Sequence, residues 1–429
     1  MAETNDEVVL VPGDRAPLTD EEFTKFIFGE LKLKHATGLG DLARWQKSRL
    51  TPTELEFARA AATPILRILG KDLIVDRWGG VCDTNRMAAM VDREPALLQS
   101  VGPALLVATI ALKGCADATK FLLQRGVPLS VEETAYNCLH KAGWAGCTDN
   151  LRHVFEAGYD ATIVVTKPHG GWPDNCSLMY WAAWGGYVDM AKVLIEHGAR
   201  INHELPLKAN GSRGTSYLHE AVAPGPWGPF TLKSEKGKLE PGPWVSTDET
   251  FRQRSEPGWI GGSNDGKLEV ARLLIEDGAR YDIYSACGLN DTTRLRQLLS
   301  EDAELVNRRD EFLMMPLHWA ARAGATECAT ILLRRGAEID VVDKSKTTPI
   351  HGAANAGKDE LIWLLAEYGA NLEVQDATGR TPLHLATYNG RVDAAEALIV
   401  LGASTTVKMK SGKTPLQVAR MACKHLKAS

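Results

Sequence analysis

Small and apolar positions return along the last third of the chain at a fixed step. Met315-Pro-Leu-His, Thr348-Pro-Ile-His, Thr381-Pro-Leu-His and Thr414-Pro-Leu-Gln each begin 33 residues after the last, and Gly-Ala pairs at 336, 369 and 402 keep the same step. Each unit predicts a helix: Thr as N-cap, Pro at the first helical position, alanines that permit close packing, and Gly as a stop. Apolar runs such as Ala329-Thr-Ile-Leu-Leu-Arg-Arg and Leu361-Ile-Trp-Leu-Leu-Ala-Glu predict a second helix that ends at the Gly-Ala pair. A helix pair of this size has no core of its own and must stack on its neighbours.

Weaker copies of the pattern extend toward the N-terminus. Their landmarks are Cys138-Leu-His-Lys-Ala with Gly158, Leu178-Met-Tyr-Trp-Ala-Ala with Gly198, Tyr217-Leu-His-Glu-Ala with Gly278, and Ala286-Cys-Gly-Leu-Asn-Asp with Leu298 and Leu299. Val101 to Gly126 and Asn85 to Leu98 are further degenerate candidates. This pattern resembles that of ankyrin repeats, T-P-L-H-x-A-A-x-x-G followed by L-L-x-x-G-A. The resemblance covers residues 81–429, strongly after 310 and loosely before 130. It implies an all-α repeat solenoid of about eight to ten stacked helix-turn-helix units with β-hairpin fingers. Residues 1–80 do not match. Leu18-Thr-Asp-Glu-Glu-Phe opens a helix with a Thr19/Glu22 capping box, and Thr51 to Gly70 is a second amphipathic helix, so this segment is expected to be a helical cap over the first repeat.

Departures from the period mark what is special. Gly158 to Gly198 spans 40 residues, with the excess in the finger Thr166-Lys-Pro-His-Gly-Gly-Trp-Pro-Asp. Gly198 to Gly278 spans 80, which places 47 extra residues in one repeat, most of them in an insertion over 224–263. That stretch holds six Pro and seven Gly, with Pro-Gly-Pro-Trp at 224 and again at 241 and Pro-Gly-Trp at 257. Such residues make turns rather than helices, and a loop of this length is either functional or disordered.

Composition narrows the function classes. Hydrophobic residues at 44% and charged residues at 24% describe an ordinary folded chain, and 429 residues exceed what one compact core holds. A net charge of −5 supplies no global positive field, so nucleic acid is not the expected partner. The eight cysteines form no C-x-x-C pair and are expected to be reduced thiols of an intracellular, cytoplasmic protein. The acidic N-terminus carries no signal pattern, and the longest apolar stretch, Val101 to Leu112, is too short to span a bilayer, so no membrane insertion is expected.

Familiar catalytic motifs fail on inspection. His219-Glu220 begins like H-E-x-x-H, but position 223 is Ala, so the second zinc ligand is missing and no metal site is expected. Gly261 to Lys267 resembles a phosphate-binding loop, yet Leu268 stands where Ser or Thr would hold magnesium, and no apolar strand precedes it. No cofactor is expected. Within the ankyrin resemblance, His140, His219, His318, His351 and His384 are implied to tie adjacent turns together. The first residue after the Ala-Ala of each inner helix is implied to face a concave groove; here it is Trp144, Trp184, Ala223, Arg322, Asn355 and Tyr388. Trp181 and Trp319 occupy the slot held by Leu385 and are expected to pack between helices.

Two functions follow from these positions. The leading one is a recognition scaffold that binds a protein or peptide partner in the groove, with Trp144 and Trp184 as anchors and Arg322, Asn355 and Tyr388 beside them. The alternative is a small-molecule binder or atypical enzyme, in which the insertion closes over the groove with Trp227, Trp244 and Trp259 as walls and Trp172 contributed by the finger. Glu220, His169 and Asp174 are then the acid–base candidates. In the bland alternative, the insertion simply buries the two groove tryptophans.

Overall fold

The computed structural model describes residues 15–17, 19, 50–69, 72–129, 138–165, 176–202, 216–222, 264–310 and 312–427. The chain divides into two compact units, one of residues 1–182 and 189–200, the other of 183–188 and 201–429.

In the first unit the helix expected over residues 51–70 stops early, and the segment is not helical throughout. Thr51 caps a helix at Pro52–Ala61 by a reciprocal box: Glu54 N–H donates to Thr51 Oγ1 at 3.2 Å, and Thr51 N–H donates to the Glu54 carboxylate at 2.9 Å. The Thr63 hydroxyl then closes the helix end on Arg59 O at 2.7 Å. Thr63 precedes Pro64, which disfavours the α conformation, and the isoleucines, leucines and valine that follow suit a strand. Thr63–Leu69 and Asp72–Val81 accordingly pair antiparallel, with Arg15–Pro17 on the other edge of Thr63–Leu69. The register slips between Pro64 and Leu66, where proline lacks the N–H a ladder needs. The segment before residue 84 therefore holds a helix and a three-stranded sheet among the described residues. Glu22, the expected capping-box partner of Thr19, lies outside them.

The degenerate early copies are helical. Thr84–Arg93 and Leu97–Ser100 lead into the pair Gly102–Ile110 and Ala116–Gln124, then Cys138–Ala145 and Thr148–Glu156. Buried Asn150 joins successive pairs, donating to Thr109 O at 2.8 Å and Leu112 O at 3.2 Å. Val164–Val165 pairs with Cys176–Ser177 as the base of the long finger, whose tip, with His169, Trp172 and Asp174, lies outside the described residues. Leu178–Gly185 and Val188–Glu196 form the next pair.

The second unit continues with Tyr217–Val222 and Asn264–Glu276, Ile283–Gly288 and Thr292–Glu301, Pro316–Ala323 and Thr326–Arg334, Pro349–Ala356 and Asp359–Glu367, Pro382–Tyr388 and Val392–Val400, and a last helix at Pro415–Lys427. Proline opens the inner helices of the best-matched repeats, and Gly324 and Gly357 end two of them at φ +79° and +75°, the left-handed conformation that glycine adopts without strain.

Register survives the insertion. Asn202 donates to Gly278 O and accepts from Arg280 N–H, both at 2.8 Å, just as Asn307 donates to Gly336 O at 3.1 Å and accepts from Glu338 N–H at 2.9 Å. The first link spans 76 positions where the second spans 29, and the difference is the 47-residue excess counted from the period. After Gly278 the finger itself is missing: residues 279–282 alone lead to the next inner helix, whereas a full turn separates Gly336 from Pro349.

Candidate partner-binding face

The inner helices place their functional side chains through a ladder of buried histidines. His318 Nδ1 accepts Met315 N–H at 3.1 Å, and its Nε2–H donates to Thr347 O, at 3.1 Å, in the next turn. His351 repeats this with Thr348 N–H and Arg380 O, and His384 with Thr381 N–H and Lys413 O. The expected structural role of these three histidines is thus met. An imidazole that accepts at Nδ1 and donates at Nε2 is neutral. Burial holds the His318 ring down at about 4 and also lowers His351 and His384.

His140 and His219 depart from this arrangement. His140 is buried, with burial pushing it down to about 3, and its Nδ1 accepts the Trp181 indole N–H at 3.2 Å. His219 directs Nε2 to the Asp282 carboxylate at 3.0 Å instead of to a backbone carbonyl, at the junction where the finger is missing. Burial opposes ionisation of Asp282, but the His219 hydrogen bond and charge and the Ser285 amide together hold it below the usual carboxylate range. The His219 ring lies 5.2 Å from Trp319 and 6.1 Å from Tyr284, so the junction is aromatic as well as acidic.

Trp181 and Trp319 are each 5% exposed and belong to the core, as their slot implies. The position after Ala-Ala behaves differently. Trp144, Trp184, Arg322 and Asn355 are partly exposed and Tyr388 is 43% exposed. Trp144 leans on Trp181, ring centres 6.3 Å apart, and Tyr180 meets Trp181 edge-on at 5.0 Å. Arg322 lies across the next inner helix because Gly352 leaves room: a Cβ there would come within 2.8 Å of Arg322 Cγ. Asn355 accepts from the Asn389 amide at 2.8 Å. Ala223 and Trp227, Trp244 and Trp259 lie outside the described residues.

The acid–base candidates are not brought together among the described residues. Glu220 is 4% exposed, buried on its inner helix, while His169 and Asp174 are not described. A depression of about 350 Å³ is lined by Leu268, Arg272, Ile275, Glu276, Tyr281, Leu289 and Asp291, none of them a candidate site residue from the sequence. Lys267 sits within the helix Asn264–Glu276, not on a loop, in keeping with the rejection of a phosphate-binding loop. No cluster of His, Cys, Asp and Glu suited to a metal exists among the described residues, and no helix there is long and apolar enough to cross a membrane.

Sequence reasoning missed the acidic residues that shape the turns. Asp310, Asp343 and Asp376 each accept two backbone N–H groups of their own turn through Oδ1, as Asp310 does from Phe312 at 2.8 Å and Met314 at 2.9 Å. Their second oxygen takes a different donor in each repeat: the Trp319 indole, the Thr347 hydroxyl or the Arg380 guanidinium. The signal was present, since these aspartates share the 33-residue step.

Comparison with known proteins agrees with this architecture. A family model described as ankyrin repeats in three copies matches residues 263–376, 317–411 and 350–428, and a single ankyrin-repeat model matches 174–204. Palmitoyltransferase ZDHHC13 from Homo sapiens and from Pongo abelii are each 26% identical over 249 residues, which covers 53% of this chain and 35% of theirs. The chain thus spans about a third of the length of these curated relatives. Helix pairs, a histidine ladder at the repeat step and the family matches together show that this chain carries ankyrin repeats.

Proposed function

We propose that the protein is a cytoplasmic recognition scaffold that binds a protein or peptide partner along its inner-helix face. The observation that carries this reading is the accessibility of one slot: Trp144, Trp184, Arg322, Asn355 and Tyr388 keep exposed surface in helices whose other large apolar side chains are buried. Aromatic residues and arginine concentrate binding energy at interfaces, and here they recur at one accessible position. Binding protein partners is the usual work of ankyrin repeats, so the fold supports the same reading by analogy. The sheet and the helix before residue 84 serve as the cap that shields the first repeat. The transferase relatives share 35% of their length with this chain, and their activity is not carried over.

Replacing Trp144 and Trp184 together by Ala is expected to weaken partner binding by at least ~2 kcal/mol while the array stays folded. Unchanged affinity in a titration of the purified partner, with unchanged unfolding, contradicts the assignment of the face.

A further inference from the structure

The sheet of the first unit meets the repeat helices at one close backbone crossing. Gly80 N–H donates to Lys113 O at 2.8 Å, and Gly79 bridges Lys113 in parallel. The two segments come this near because both carry glycine: a Cβ on Gly114, at φ +88°, would fall 2.3 Å from Gly80 O. Cys82 and Cys115 flank the crossing. The Cys82 thiol donates to Gly114 O at 3.6 Å, the carbonyl adjoining Cys115. The Cys115 sulfur lies over Gly80, where an added Cβ would come within 2.8 Å of it.

The two thiols differ in accessibility and in acidity. Cys82 is partly exposed, Cys115 is buried, and neither is in a disulfide. A hydrogen bond from Cys115 holds Cys82 down at about 7, outweighing burial and the Asp117 and Asp83 carboxylates, with the Ala118 amide adding to the effect. The same contact and burial push Cys115 up. By contrast, burial pushes Cys147 up to about 12, and Cys138, Cys287 and Cys328 are buried. An accessible sulfur of thiolate character with a second thiol behind it is what reversible oxidation requires.

The geometry points to a two-cysteine oxidation site in which hydrogen peroxide oxidises Cys82 and Cys115 resolves the product to an intrachain disulfide. The Cys82 thiolate attacks one peroxide oxygen, the O–O bond breaks, and the departing hydroxide takes up a proton to leave as water. Cys82 is then a sulfenic acid. Cys115 gives up its proton and attacks the Cys82 sulfur; the S–S bond forms, the S–O bond breaks, and a second water leaves. Two electrons pass from the thiol pair to the peroxide. The disulfide ties the end of the sheet to the start of the Ala116–Gln124 helix.

The test treats the full chain with hydrogen peroxide, blocks the remaining thiols, digests with trypsin and maps the products by mass spectrometry. Peptides 78–86 and 114–120 are expected to appear joined, lighter by two hydrogens than their sum, in wild type and to be lost as a pair in Cys82→Ser. In Cys115→Ser the Cys82 sulfenic acid is expected to persist and to be captured by dimedone. If wild type leaves both peptides reduced, or carries Cys82 to sulfinic acid without joining it to Cys115, the inference is overturned. Because the deciding result comes from wild type, poor folding of a variant does not blunt it.

Discussion

His318, His351 and His384 each accept a backbone N–H at Nδ1 and donate to the next turn's carbonyl at Nε2, an arrangement a protonated ring cannot keep. Their folded pKa values lie below the unfolded value of 6.5, so the unfolded chain binds more protons between the two. This stability is fully present above about 6.5 and is lost as pH falls toward the folded values, about 4 for His318. The urea midpoint of wild type is therefore expected to drop between pH 7 and pH 5. A midpoint indifferent to pH contradicts the neutral ladder. Replacing His351 by Ala strands the Thr348 N–H and the Arg380 carbonyl, at an expected cost of about 2–4 kcal/mol in denaturant unfolding. The same variant should show a shallower pH dependence. At this scale the sequence was legible wherever the period was strict. The exceptions are His140, which accepts the Trp181 indole, and His219, whose partner is a side chain, Asp282, because no finger supplies a carbonyl there.

Among the elements, tight approaches between neighbouring helices depend on particular glycines. Gly186, at φ +64°, faces the backbone of the helix Asn264–Glu276; a Cβ would sit 2.7 Å from Lys267 N. Gly336, at φ +85°, has nothing within 4 Å. Gly186→Ala should therefore cost about 1–3 kcal/mol more than the left-handed strain alone that Gly336→Ala pays. Equal shifts in thermal unfolding would show that helix spacing at Gly186 is slack. The elements that the period did not reach were read less well. Pattern alone merged Pro52–Ala61 with the strand Thr63–Leu69, because a short apolar run suits either state and only Thr63-Pro64 marks the break. The oxidation site shares this origin: Cys82 and Cys115 lie 33 positions apart in the weakest copies, and only the Gly80–Lys113 crossing brings them together.

For the whole molecule, the repeat step foretold how much chain could be set aside. The Asn202 links to Gly278 and Arg280 hold register without requiring any residue of the insertion. Replacing residues 225–262 by a short Gly/Ser linker is expected to leave unfolding of the array within about 1 kcal/mol of wild type, since loop-closure entropy changes slowly with length. A large loss of stability would mean that the insertion is part of the core. The central claim is that the exposed slot on the inner helices binds a partner. Its most direct test is quantitative affinity capture from the native host's lysate, comparing wild type with a folded variant carrying Trp144→Ala, Trp184→Ala and Tyr388→Ala. The account predicts a protein retained by wild type, identified and then shown to bind purified wild type, and lost from the variant. The same protein retained equally by both, or none retained specifically by either, contradicts it.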